Sequence, residues 1–235
     1  MKRFYKLVSQ EKTPGGFHIL LDGKAVKTPS GKALFIPNAA LANEAQREWA
    51  GQDKEIIPDS MPVTQILVTT QDRVAEQRTE IEKSVLAYLD TDLLCYRAPK
   101  AEPIAAYQAK AWDQWLVWFE KTYGVVLKTT DSLTALRQPD AAHKRAAQAV
   151  SKMDDLRFCV LQLVVALSGS LILGFAFVTG DASADEVERA TLAEDLYKAE
   201  IYREHIHGAA PLEEKKRAAL RRDLQAASIV LQSLK

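Results

Sequence analysis

Leu156-Arg-Phe-Cys-Val-Leu-Gln-Leu-Val-Val-Ala-Leu-Ser-Gly-Ser-Leu-Ile-Leu-Gly-Phe-Ala-Phe-Val178 is the only long segment of this chain that is apolar on every side. Its length is close to the roughly 20 apolar residues that cross a bilayer core. Ser168-Gly169-Ser170 interrupts it with residues that favour a helix stop and a new N-cap, so each piece is too short to span. We therefore predict a helical hairpin buried at the centre of a helical domain, without stable insertion into a membrane.

The composition is that of a soluble globular protein. The 235 residues include 31 Lys and Arg and 31 Asp and Glu, so the net charge is zero and no global field would attract nucleic acid. We expect a protein or a neutral ligand as the partner. Cys95 and Cys159 lie far apart without metal spacing, as is usual in a reducing compartment. The first residues resemble neither a secretory signal nor a transit peptide, which predicts a bacterial cytoplasm, or the mitochondrial matrix if a leader was trimmed.

Residues 3–37 alternate between apolar and polar side chains, and turn signals separate the apolar runs. Asp22-Gly23 is a strong hairpin signal because both central positions of such a turn need a positive φ. The alternation predicts a small, mostly antiparallel sheet. Its strands are expected at 3–9, 17–21, 24–28 and 33–36.

The pattern changes to a helical period after Pro37. Asn38 can cap a helix that ends near Trp49, and Pro58 to Pro62 breaks the chain before a longer helix. That longer helix carries a stripe of residues at Ile66, Thr70, Val74, Gln77, Ile81, Val85 and Tyr88. Further helices are expected at about 103–122, 140–150 and 184–203, and from about 212 onward. Three tryptophans in the helix at 103–122 lie at helical spacing, which is typical of a core.

These patterns predict an α+β protein with two domains. Residues 1–60 should form a small, mostly antiparallel β-rich N-terminal domain with one short helix. Residues 61–235 should form a larger all-α C-terminal domain, against which the first domain packs. The boundary is placed near residue 60 because the apolar period changes there.

Candidate chemistry is sparse. Asp90-Thr91-Asp92 resembles a paired-carboxylate metal site, but Asp and Thr also end and cap helices. Residues 205 and 207 are both histidines, and their spacing of two places them on different faces of a helix, which disfavours zinc binding. We expect no catalytic residue, no metal and no cofactor. The alternative is an enzyme of unknown class that uses Asp90, Asp92 and Cys95.

One carboxylate lies within an apolar stripe on the helix at 184–203. The stripe is formed by Val187, Ala190, Tyr197 and Ile201, and Glu194 fills the gap in it. A carboxylate in this position either forms a buried ion pair, for which Arg157 is a candidate, or belongs to a surface that binds a partner. In the second case Glu194 would be a polar anchor inside a protein-binding patch.

Several motifs occur in order along most of the chain. They are Arg3-Phe-Tyr-Lys6, Gly16-Phe-His-Ile-Leu-Leu-Asp-Gly-Lys-Ala-Val-Lys-Thr-Pro29, Glu48-Trp49 with Gln52, Met61-Pro-Val-Thr64, Tyr88-Leu-Asp-Thr-Asp-Leu-Leu-Cys-Tyr-Arg97 and Gly169-Ser-Leu171. Together they resemble the assembly chaperones of the F-type ATP synthase that bind its α subunit. That family occurs in mitochondria and in some bacteria.

The resemblance implies a nonenzymatic, ATP-independent function. Members of the family hold the newly made α subunit, shield the apolar surface that will face the β subunit, and hand the α subunit on during assembly. The resemblance also implies an α+β N-terminal domain with a helical C-terminal domain. It favours a partner-binding role for the helix that carries Glu194, Asp195, Tyr197 and Ile201.

Overall fold

The computed structural model describes residues 1–203 and 211–234. Its sheet has three antiparallel strands in the order β1-β2-β3, with β1 at Val8–Thr13, β2 at Gly16–Leu21 and β3 at Lys24–Ala25. The helices follow the sheet along the chain, which confirms the α+β class. They are α1 Ala39–Ala50, α2 Pro62–Thr69, α3 Ala75–Ala87, α4 Pro103–Tyr123, α5 Asp140–Val150, α6 Asp155–Ser168, α7 Leu171–Thr179, α8 Ala184–Thr191, α9 Ala193–Ile201 and α10 Pro211–Gln232.

The predicted hairpin signal is confirmed, but the first strand starts later than expected. Asp22 and Gly23 both have positive φ, and they join β2 to β3. The Asp22 carboxylate accepts hydrogen bonds from the backbone N–H groups of Lys6 and Leu7. These N–H groups are therefore bound to a side chain rather than to a strand, and pairing begins only at Val8. Of the strands predicted at 24–28 and 33–36, only Lys24–Ala25 forms a strand, β3. The remaining pairing there consists of isolated bridges, Lys27 with Ala33 and Phe17 with Ile36.

The apolar stretch forms two helices, as predicted. Gly169 lies between α6 and α7 with φ +69°, and the Ser170 hydroxyl caps α7 by accepting from the Leu173 N–H at 3.0 Å. Every residue from Leu171 to Val178 is buried. Among residues 1–203 and 211–234, no helix has both the length and the apolar character needed to cross a membrane.

The long helix predicted after Pro62 is interrupted. A π-helical turn, Thr70–Val74, separates α2 from α3, and Gln77 has non-helical angles of φ −121° and ψ 22°. A π turn adds a residue to the helical repeat, so the predicted stripe does not stay on one face. Gln77 and Tyr88 are consequently exposed, whereas Ile66, Val74, Ile81 and Val85 are buried.

The helix predicted at 184–203 is also two helices. Leu192 has φ −92° and ψ 11°, so it ends α8 and precedes α9. Ser183 and Glu186 form a capping box at the start of α8, which fixes its first turn. The stripe that contains Glu194 is therefore divided between two short helices.

The chain forms two compact units. One consists of Met1–Arg78, Asp154–Val160 and the described residues from Gln225 onward, and the other consists of Thr79–Met153 and the described residues between Leu161 and Leu224. The first unit has its core between the sheet and the neighbouring helices, at residues that include Ile19, Leu34, Ile36 and Leu41. The second has a helical core that includes Leu94, Trp112, Phe119 and Phe175. The domain boundary near residue 60 stays a prediction.

Candidate functional site

The candidate site lies in the second unit, where α9 packs against α4. The buried face of α4 consists of Gln108, Trp112, Trp115 and Phe119, at spacings of four, three and four. This spacing is that of one helix face. Trp112 and Trp115 are core residues, as predicted, and Trp118 is half-buried. Gln108 is the polar member of this face, and it is only 2% exposed.

The Gln108 side chain binds two different parts of the unit. Its Oε1 atom accepts a hydrogen bond from the backbone N–H of Ala98 at 2.8 Å. Its Nε2 atom donates to the Glu194 carboxylate at 2.7 Å. The amide therefore connects the segment that follows the Tyr88 to Arg97 motif with the first turn of α9. Such a buried polar group needs its hydrogen bonds, because leaving one unmade costs about 1–3 kcal/mol.

Trp112 fixes the end of α8 beside this site. Its indole Nε1 donates to the backbone carbonyl of Ala190 at 2.8 Å, and both groups are buried. The Arg97 guanidinium lies 5.1 Å from the Trp112 ring centroid and pairs with Asp113 at 2.9 Å. The indole hydrogen bond ties α4 to the end of α8, and the Arg97 cation ties α4 to the segment that precedes it.

The four residues predicted to bind a partner do not all face the same way. Glu194 faces Gln108, and the Tyr197 ring lies 5.6 Å from the Tyr107 ring of α4, measured between centroids. Asp195 pairs with Lys198 on its own helix at 3.9 Å. Ile201 is 57% exposed, and the adjacent Tyr202 is 72% exposed. The structure thus brings Glu194 and Tyr197 together against α4, while the end of α9 offers apolar side chains to solvent.

Glu194 has an uncharged partner rather than the cation that we considered from the sequence. Its Oε1 atom accepts from Gln108, whereas Arg157 pairs with Asp154 at 3.6 Å. Within the described part of the chain, the second carboxylate oxygen of Glu194 has no hydrogen-bond partner. A carboxylate accepts several hydrogen bonds, so half-buried Glu194 retains the capacity to bind another donor.

A cleft of about 390 Å³ opens beside this site, between α4, α8 and α9. Its lining combines the apolar side chain of Leu196 with the cations Lys110 and Arg189. A cleft of this character suits an amphipathic protein segment better than a small apolar molecule.

The Asp90, Asp92 and Cys95 group has other contacts. Asp92 is buried, and its carboxylate accepts from the N–H groups of Leu94 and Ile172, each at 3.0 Å. Asp90 instead accepts from the Gln138 N–H at 2.7 Å and lies 3.0 Å from His143 Nε2. The two carboxylates therefore hold different segments rather than converging.

Burial raises the pKa of two of these groups, Asp92 and Cys95. Desolvation raises the pKa of Asp92 to about 6, against the effect of its backbone hydrogen bonds. Desolvation also raises the pKa of the Cys95 thiol, and the neighbouring Asp92 carboxylate raises it further. A thiol in this environment stays protonated, so Cys95 is disfavoured as a nucleophile.

No group of three or more His, Cys, Asp or Glu side chains suited to a metal ion occurs in residues 1–203 and 211–234. The histidines at 205 and 207 lie outside these residues.

The sequence pattern missed Gln108 and Tyr107. Gln108 carries the same signal that singled out Glu194, since it is a polar residue at a position four before Trp112 on an apolar face. Tyr107 gives no such signal, because an aromatic residue at helical spacing is typical of a core. Its pairing with Tyr197 joins residues that are distant along the chain, and helical spacing gives no information on such pairs.

The fold and the sequence both match known chaperones. The family model described as ATP12 chaperone protein matches residues 2–120. Protein atp12, mitochondrial, of Schizosaccharomyces pombe is 23% identical over 209 residues, which cover 84% of this chain and 72% of that protein. Atp12 from Paracoccus denitrificans has a TM-score of 0.86 at 26% identity, covering 100% of this chain and 98% of that one. The Atu1473 protein of Agrobacterium tumefaciens has a TM-score of 0.90 at 32% identity, covering 100% and 86%.

These findings define the class of protein as an α+β chaperone. The chain belongs to the ATP12 chaperone protein family, the ATP synthase assembly chaperones whose motifs it carries.

Proposed function

We propose that this protein binds the unassembled α subunit of the F-type ATP synthase catalytic sector and prevents its aggregation until the α subunit pairs with β. The observation that carries the proposal is the surface of α9. There Glu194, one of whose carboxylate oxygens has no partner among residues 1–203 and 211–234, precedes the exposed apolar side chains of Ile201 and Tyr202. Because the chain belongs to a family of assembly chaperones, we infer that the partner of this surface is an unassembled protein subunit.

The arrangement on α9 suits reversible binding of an apolar protein surface. Glu194, Lys198 and Ile201 are spaced by four and three, so they lie along one side of the helix. An interface needs an apolar centre for affinity and polar groups for register, and this side supplies both kinds. Asp195 and Tyr197 flank it, and together with Glu194 and Ile201 they form the proposed contact set.

Release of the client requires no nucleotide in this proposal. The β subunit offers the α subunit a larger complementary surface, so it displaces the chaperone by mass action. We propose accordingly that the protein is not an enzyme, and that it acts in a bacterial cytoplasm or, for a trimmed eukaryotic protein, in the mitochondrial matrix. The mitochondrial name of the relative from S. pombe supports the second location for eukaryotic members.

The test is the affinity of Glu194 variants for the α subunit. Glu194→Gln keeps an oxygen that can accept from Gln108 but removes the charge, and Glu194→Lys reverses the charge. We expect both variants to stay folded and to bind the α subunit about tenfold or more weakly, the loss typical of an interface anchor.

Glu200→Gln is the matched control. It makes the same charge change on the same helix, at an exposed position about 120° around the axis from Glu194. We expect its affinity for the α subunit to equal that of the wild type. If Glu194→Lys unfolds in circular dichroism, Glu194 belongs to the fold rather than to a binding surface. Equal binding by Glu194→Gln and the wild type would contradict the proposed site.

A further inference from the structure

We propose that Gln108 is a positioning residue, which orients the Glu194 carboxylate towards the α subunit and leaves its negative charge unneutralised. The inference rests on the proposed function, because it gives Gln108 a role in the same binding event. It also specifies the chemistry of the partner, since an unneutralised carboxylate at this position fits a lysine or arginine side chain of the α subunit.

The orientation of the Gln108 amide is fixed by its two partners. The backbone N–H of Ala98 can only donate, so the atom that faces it at 2.8 Å must be the amide oxygen. The NH2 group then has to face α9, where it meets Glu194 at 2.7 Å. Because Gln108 is only 2% exposed, few alternative rotamers are open to it. The Gln108 amide therefore presents a donor to position 194, which a hydrogen-bond acceptor there satisfies.

A neutral hydrogen-bond donor and a cation have different effects on the net charge beside Glu194. An arginine at position 108 would hold Glu194 equally well, but it would cancel the charge that a partner could recognise. The amide offsets part of the desolvation of the carboxylate through one hydrogen bond and leaves the net charge at minus one. Glu188 shows the opposite arrangement in the same unit, since Arg221 pairs with both of its carboxylate oxygens at 3.0 and 2.7 Å. Glu188 is buried and paired with a cation, whereas Glu194 is half-buried and hydrogen-bonded to a neutral amide.

Gln108→Glu is the informative variant. It keeps an oxygen for the Ala98 N–H but places a second carboxylate against Glu194. Two ionised carboxylates at hydrogen-bond distance repel each other, which raises the pKa of the pair for loss of its last proton. The pair therefore shares one proton at low pH and loses that proton only as the pH rises. At low pH the protonated carboxyl group at position 108 donates to the Glu194 carboxylate, as the Gln108 amide does in the wild type. At high pH repulsion displaces Glu194.

We therefore expect Gln108→Glu to bind the α subunit like the wild type near pH 6 and about tenfold or more weakly near pH 9. The wild type and Gln148→Glu should show no such loss over the same range. Gln148→Glu is the matched control because it adds the same charge at an exposed position in the same unit. Circular dichroism at each pH confirms that the full-length variants are folded.

The double variant Gln108→Glu/Glu194→Gln separates positioning from stability. It restores one hydrogen bond between the two side chains but moves the charge from α9 to the buried position on α4. We expect its unfolding midpoint in urea to return towards the wild type at pH 7.5, while its affinity for the α subunit stays as low as that of Glu194→Gln. Recovery of binding in the double variant would overturn the inference, because the charge would then not be needed on α9.

The two proposals fail in different ways. If Glu194→Gln binds the α subunit like the wild type, the proposed site is wrong and the role of Gln108 is wrong with it. If Glu194→Gln weakens binding but Gln108→Glu binds equally at pH 6 and pH 9, only the positioning role is wrong.

Discussion

At the scale of single residues, buried polar side chains determine how neighbouring segments of the second unit are held. Asp92, Gln108 and Trp112 each bind a backbone group of another element, at 3.0, 2.8 and 2.8 Å. Each is buried, so a substitution that removes its hydrogen bond takes a partner away from a backbone group. These three side chains should be sensitive to small chemical changes that keep their volume.

Asp92 predicts a pH dependence of stability. Burial raises its pKa from 3.8 to about 6, so the native state holds one more proton than the unfolded chain between about pH 4 and pH 6. The contribution of Asp92 to the free energy of unfolding therefore falls by about 3 kcal/mol as the pH rises through this window. Asp92→Asn lacks this titration. Urea unfolding of both proteins across the window should show their difference in stability changing by that amount, and a constant difference would contradict the assignment.

Replacing Trp112 or Trp115 with phenylalanine should lower the free energy of unfolding by different amounts. Trp112→Phe removes the indole donor to the buried Ala190 carbonyl, which the Leu192 N–H also contacts. The Trp115 indole N–H is buried without a hydrogen-bond partner in the described part of the chain, so Trp115→Phe loses packing alone. We expect Trp112→Phe to lower the free energy of unfolding by about 1–3 kcal/mol more than Trp115→Phe. Urea unfolding followed by circular dichroism measures both, and equal losses would contradict the role of the indole hydrogen bond.

At the scale of elements, the close packing of α6 and α7 favours glycine at position 174. A Cβ there would lie 2.8 Å from Val165 Cγ2 and 2.9 Å from Leu161 Cδ1, which is closer than carbon atoms pack. The two apolar helices can approach each other because this side chain is absent.

Gly174→Ala therefore has two opposing effects. Alanine favours the helical state by about 1 kcal/mol relative to glycine, but overpacking a close contact costs about 1–3 kcal/mol. We expect a net loss of stability, measured as a lower midpoint of urea or thermal unfolding. A higher midpoint would show that Val165 and Leu161 give way at little cost.

The sequence predicted whole elements better than their interruptions. The N-cap at Asn38 and the break at Ser168-Gly169-Ser170 each follow from local sequence signals, and each is observed. The π turn at Thr70–Val74 has no comparable local signal. The Gln71 amide there bonds the backbone of Ala33 and Phe35, at 2.9 Å each, so distant contacts accompany the irregular turn.

The same limit applies to the candidate site. Glu194 stood out from the sequence because a carboxylate interrupts an apolar stripe, but its partner Gln108 lies 86 positions away along the chain. Helical periodicity describes one element at a time, so it gives no pairing between elements. The family motifs indicated an assembly chaperone, a class of function that neither periodicity nor composition could have indicated.

At the scale of the whole molecule, the chain is an assembly chaperone, and the mechanism that we propose for it depends on competing interfaces. The chain has no net charge, so association with its client should depend on a local surface rather than on long-range attraction. The exposed apolar end of α9 and the charged Glu194 form the proposed local surface. The central claim is selectivity for the α subunit.

Light scattering of aggregating client tests this claim most directly. The α subunit of an F-type ATP synthase is diluted from denaturant with and without this protein, and the β subunit is treated in parallel. The account predicts suppressed scattering for the α subunit, no suppression for the β subunit, and weaker suppression by Glu194→Gln than by Glu200→Gln. Failure to protect either subunit, or equal protection of both, would contradict it.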